Sequence, residues 1–106
     1  MRPVHPAVER AARLLRASPE MSVRSLAREA GLSQSRLSRL FRAEIGTGLT
    51  AFRTEQKLER VDSMMRGGQR SLTNAALDAG FGSYSQFFRA FQARRGASPR
   101  EFYRHK

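Results

Sequence analysis

Ser71-Leu72-Thr73-Asn74-Ala75-Ala76-Leu77-Asp78-Ala79-Gly80-Phe81-Gly82-Ser83 decides the fold, because the chain has already spelled it once. The earlier copy is Ser22-Val23-Arg24-Ser25-Leu26-Ala27-Arg28-Glu29-Ala30-Gly31-Leu32-Ser33. One extra residue follows the turn in the second copy. The register then resumes, matching Leu37 with Phe87, Arg39 with Arg89, Phe41 with Phe91 and Gly46 with Gly96. Each copy reads as two short helices around a glycine turn, the helix-turn-helix pattern. Ala27 and Ala76 each stand four residues before the turn glycine, where two helices cross closely and only a small side chain fits. One such spacing says little. Two, each followed by a serine cap and an apolar pair, carry the assignment.

Outward from the repeat, helical periodicity predicts seven helices and no strand. The first covers Ala7–Ala17, introduced by Pro3 and Pro6, with Val8, Ala11, Ala12 and Leu15 inward. Ser22 caps Val23–Ala30, and Gly31 takes the positive φ beyond its end. Ser33 caps Gln34–Ile45, and Gly46-Thr47-Gly48 breaks it. A long helix follows over Leu49–Arg66, about 27 Å at ~1.5 Å per residue, and reads as a strut. Its apolar stripe is Phe52, Leu58, Val61, Met64 and Met65, and Gly67-Gly68 stops it. Ser71 caps Leu72–Ala79, Ser83 caps Tyr84–Arg95, and Ser98-Pro99 opens a last helix ending at Arg104. The expected fold is all-α. Two homeodomain-like helix-turn-helix subdomains, 1–48 and 67–106, are joined by a connecting helix over 49–66.

Composition narrows the partners. The 106 residues carry a net charge of +11, from 20 basic and 9 acidic side chains. All the basic residues but Lys57 and Lys106 are arginine, whose planar fork fits guanine edges and phosphates. Such an excess points to a polyanion, because neutralised phosphates release counterions. A solubilising surface and a GC-rich genome are the bland alternatives. The chain lacks cysteine, so thiol catalysis, thiolate metal sites and disulfides are excluded. His5 and His105 stand at opposite ends, in no ligand cluster. Neither a cofactor nor a catalytic constellation is expected. The absence of a signal-peptide core and of a membrane span leads to an expected location in the cytoplasm, at the nucleoid.

Helical phase then selects surface residues. With Leu37 and Phe41 inward, Ser35, Arg39 and Arg42 face outward and Ser38 lies on the flank. With Phe87 and Phe91 inward, Ser85, Arg89 and Gln92 face outward and Phe88 lies on the flank. Small polar residues with an arginine suit a helix that enters a major groove. Arg39 and Arg89 are the foremost candidates for guanine; the alternative is a phosphate or solvent contact. Gln34, Ser35, Ser38, Tyr84 and Ser85 either reach bases or leave room for the helix. Phe88 is either core or packs on thymine methyl groups. Arg42, Arg53, Lys57, Gln92, Arg94 and Arg95 are the expected phosphate contacts, with Arg60, Arg100 and Arg104 as further cations nearby.

The stretch Asp78-Ala79-Gly80-Phe81-Gly82-Ser83-Tyr84-Ser85-Gln86-Phe87-Phe88-Arg89-Ala90-Phe91, with Gly96-Ala97-Ser98-Pro99 and Phe102-Tyr103-Arg104, resembles the C-terminal signature of the AraC/XylS family of bacterial transcription regulators. The first unit matches that family's pattern too, and the resemblance covers residues 7–104. It implies a sequence-specific transcriptional regulator whose recognition helices, about 34–45 and 84–95, enter adjacent major grooves of asymmetric promoter DNA. It assigns base contact to Ser35, Ser38, Arg39, Tyr84, Ser85, Phe88 and Arg89, and it implies RNA polymerase as a further partner. The chain departs from the family at Thr47-Gly48, often Ser/Thr-Pro, and at Phe88, commonly small or polar. Most relatives add a sensor or dimerisation domain. The expectation is therefore a monomer on DNA unless a missing domain dimerises it. An accessory module of DNA-processing machinery, a membrane-surface binder and an enzyme are the competing classes. They would require an acidic catalytic cluster, a helix exposing a broad apolar face, or a nucleophile–base pair.

Overall fold

The computed structural model describes residues 4–104; Pro3 and His105, both noted in the sequence, lie outside the described residues. The described residues form seven helices and no strand. These are α1 (Pro6–Ala17), α2 (Val23–Ala30), α3 (Gln34–Ile45), α4 (Leu49–Arg66), α5 (Leu72–Asp78), α6 (Tyr84–Arg95) and α7 (Pro99–Arg104). Among the described residues no helix is long and apolar enough to cross a membrane. The chain divides into two compact units, Met1–Gln56 and Lys57–Lys106, and the division falls inside α4.

The serines act where the sequence placed them. The hydroxyls of Ser22, Ser33, Ser71 and Ser83 accept from the N–H groups of Ser25, Arg36, Asn74 and Gln86 at 3.0–3.2 Å. Each satisfies one donor that the first helical turn leaves open. The two turns are copies in their hydrogen bonds as well as in sequence. The N–H of Leu32 donates to Ala27 O at 3.0 Å and that of Phe81 to Ala76 O at 3.1 Å. Gly31 and Gly80 close the inner bonds, to Arg28 O and Leu77 O, with φ of 75° and 108°. This is the Schellman arrangement, which needs a left-handed residue past the helix end.

Two boundaries differ by one residue from the periodicity. α1 begins at Pro6, because the His5 ring accepts the Ala7 N–H at Nδ1 (3.0 Å) and proline needs no donor at the first helical position. The His5 N–H is itself held by the Glu44 carboxylate at 2.9 Å. α5 ends at Asp78, and Ala79 closes it as the cap.

Unit 1 buries Val8, Ala11, Ala12 and Leu15 of α1 against Leu26, Ala27, Leu37, Phe41 and Leu49. Phe52 meets Phe41 edge-on, with ring centroids 5.2 Å apart. Unit 2 buries Leu58 and Val61 of α4 with Ala75, Ala76, Ala79, Phe81, Phe87 and Phe91. Here aromatic rings replace the aliphatic residues of α1: Phe102 and Tyr103 of α7 lie 5.2 and 5.6 Å from Phe91. The predicted inward residues Met64 and Met65 pack on the same cluster. No polar or charged residue is buried among the described residues, so each unit is closed by apolar contact and capped by surface hydrogen bonds.

Candidate nucleic-acid interface

The two second helices of the repeat, α3 and α6, have matching architecture. Each has twelve residues, a serine N-cap and a left-handed glycine at its end. Each buries two side chains four apart, Leu37 with Phe41 and Phe87 with Phe91. The helical period then forces the opposite side outward. On α3, Gln34, Ser35, Ser38, Arg39 and Arg42 are all exposed. On α6, Ser85, Arg89 and Gln92 are exposed, whereas Tyr84 and Phe88 are half-buried.

Arg39 and Arg89 occupy equivalent places in the repeat. Neither makes a hydrogen bond or ion pair among the described residues, so both guanidinium groups are available to a ligand. Tyr84 leans on Phe87, with centroids 5.6 Å apart, and Phe88 lies beside Tyr84 at 6.4 Å. Phe88 stays outside the unit 2 hydrophobic cluster. Half-buried and outside that cluster, Phe88 is not the core residue that one sequence reading made it. It gives α6 an aromatic edge that Ser38 does not give α3.

The six residues expected at phosphates fall into two groups. Arg42, Gln92 and Arg94 are exposed on α3 and α6. Arg53, Lys57 and Arg95 are half-buried, with their charges engaged inside the fold. Arg53 donates from Nη1 to the Pro19 carbonyl at 2.7 Å, tying α4 to the loop before α2. Lys57 Nζ lies 5.5 Å from the Phe81 ring centroid, over its face. Arg95 donates to Asp62 at 3.2 Å and stacks 5.9 Å from Phe91. Of the further cations, Arg60 is half-buried, and Arg100 and Arg104 are exposed.

Three supporting residues escape a sequence reading. Gln86 accepts the Gly82 N–H at 3.0 Å while Ser83 accepts the Gln86 N–H, a reciprocal lock that fixes where α6 begins. Its signal was available in the spacing Ser83-x-x-Gln86. Asp62 accepts from both Arg95 and the Tyr103 hydroxyl, binding the end of α6 and α7 to α4. His5 joins Glu44 across the first unit. The last two pairings span 33 residues or more and leave no local trace.

Comparison with known proteins agrees with this geometry. Residues 26–105 match the family described as helix-turn-helix domain. The chain is 30% identical over 86 residues to the arabinose operon regulatory protein of Salmonella typhimurium, covering 81% of this chain and 31% of the relative. It therefore spans about a third of the length of the curated relatives it matches. Among solved structures, the C-terminal domain of AraT, a response regulator from Geobacillus stearothermophilus, superposes with a TM-score of 0.89 at 21% identity. That match covers 99% of this chain and 89% of the other. A transcriptional regulator from Chromobacterium violaceum, of the AraC-type DNA-binding domain-containing proteins, gives 0.85 at 26% identity, covering 94% and 91%. The duplicated helix-turn-helix and these relatives together place the chain in the AraC-type helix-turn-helix family of DNA-binding transcription regulators.

Proposed function

We propose that this domain binds double-stranded promoter DNA in a sequence-specific way, with α3 and α6 each entering a major groove. The observation that carries the reading is the equivalence of Arg39 and Arg89. Each is exposed and unpaired among the described residues, on the side of its helix opposite a two-residue apolar anchor. An arginine so presented can bond guanine O6 and N7 together, which discriminates by roughly 1–3 kcal/mol. Gln34, Ser35, Ser38, Tyr84 and Ser85 complete the reading faces, and Phe88 supplies apolar contact to thymine methyl groups. Arg42, Gln92 and Arg94 fix register on the phosphates. Arg53, Lys57 and Arg95 serve this role chiefly by holding the helices in place.

The faces are unequal: α6 carries Tyr84 and Phe88 where α3 carries Gln34 and Ser38. The proposed site is accordingly asymmetric and taken by one chain, with RNA polymerase as the partner that converts binding into regulation. Selection from a random duplex pool with the purified chain tests the reading. One asymmetric site with two short blocks about one helical turn apart is expected. Binding that only tracks salt, with no enriched sequence, would overturn it. A promoter reporter unresponsive to a chain that still binds its site would remove the polymerase step alone.

A further inference from the structure

Each unit opens a cleft, and the two share two equivalent positions of the repeat in their linings. In unit 1 the cleft is lined by Val23, Ser38, Arg42 and Thr50 among others, and in unit 2 by Leu72, Tyr84, Arg70 and Arg100 among others. Val23 and Leu72 are equivalent positions, as are Thr50 and Arg100. No carboxylate lines either cleft. The cations differ. Unit 1 offers Arg42, whereas unit 2 offers two arginines at positions where unit 1 has Met21 and Thr50. Arg70 and Arg100 are exposed, and neither has a hydrogen bond or ion pair among the described residues. Thr73 lines the same cleft. Tyr84, the first residue of α6, forms part of its wall, so the cleft adjoins the reading face.

Two like charges that line one cleft, with no carboxylate in its lining, favour an anion there. A phosphodiester suits the site, because guanidinium forks bond phosphate oxygens in pairs. We infer that Arg70 and Arg100 clamp one DNA backbone phosphate beside α6, making the second unit the electrostatic anchor of the domain. This rests on the DNA-binding reading above and adds to it which unit holds the backbone. Such a contact positions the protein without reading sequence.

The test measures affinity of the full chain for its selected duplex across a salt series. Arg70→Ala/Arg100→Ala is expected to make the slope of log affinity against log salt shallower by about 1. Affinity should fall about tenfold, equally on the selected site and on scrambled duplex. Arg70→Lys/Arg100→Lys should keep the slope. Replacing one phosphate beside the second block with an uncharged methylphosphonate should weaken the wild type and leave the alanine variant unaffected. Matching melting curves show that the variants fold. An unchanged slope, an equal change from Arg13→Ala on α1, or no methylphosphonate position coupled to the two arginines would each overturn the clamp. If the wild type enriches no sequence, base reading fails, yet the salt slopes on random duplex still decide the clamp.

Discussion

Arg95 and Asp62 meet at 3.2 Å, joining the last turn of α6 to α4, with both side chains about four-fifths withdrawn from solvent. The same carboxylate accepts the Tyr103 hydroxyl. One acid thus holds two helices to a third. Asp62→Ala removes an acceptor from both donors and is expected to lower stability by about 1–3 kcal/mol, while Asp62→Asn keeps an acceptor oxygen and loses less. Urea unfolding of the two variants checks this. Equal losses would mean that packing around Asp62, not its oxygens, matters.

Tyr103 makes the linkage sensitive to alkali. Burial first, then the hydrogen bond to Asp62 and its negative charge, push the phenol above its ordinary value of 10.0, and Arg95 and Arg66 oppose this more weakly. The folded state therefore favours the protonated phenol. Its contribution is complete below about pH 10, and is lost as pH rises further towards the folded value. Tyr103→Phe should melt below the wild type at neutral pH, and the gap should narrow above about pH 10. A gap of constant width across that range would refute the linkage.

Ala76 is fully buried, and its carbonyl takes the turn bond from Phe81. Ala76→Leu forces extra methylenes into the crossing and should cost about 1–3 kcal/mol. Ala93→Leu, on the exposed side of α6, should stay within about 0.5 kcal/mol. Thermal melts of the pair distinguish tight packing at the crossing from a general effect of added bulk.

Arg39→Ala and Arg89→Ala are expected to weaken binding by roughly 1–3 kcal/mol only at sites with guanine at the contacted position. Affinities for a set of single-base variants of the selected site provide the readout. A uniform loss across the set would reassign that arginine to a phosphate.

What the sequence revealed and what it hid follow from distance along the chain. The serine caps, the turn glycines and the anchors Leu37, Phe41, Phe87 and Phe91 act within one or two helical turns, so spacing alone exposes them. The repeat then multiplies a weak local signal by two. Arg53, Lys57 and Arg95 look like surface cations because periodicity records side, not partner. Their engagements with Pro19, Phe81 and Asp62 are made across each unit. The cleft shared by Arg70 and Arg100 is invisible for the same reason: its walls come from α4, α5, α6 and α7.

The two turn glycines, both at positive φ, differ in their surroundings. A Cβ on Gly31 would meet open space, whereas one on Gly80 would lie 3.4 Å from the Lys57 stem. At Gly31 a side chain would thus carry only the strain of the left-handed backbone, which asparagine tolerates best. At Gly80 a Cβ would in addition lie in van der Waals contact with a lysine that already covers Phe81. A side chain longer than a Cβ at position 80 would therefore share its space with position 57, a coupling that the first turn lacks.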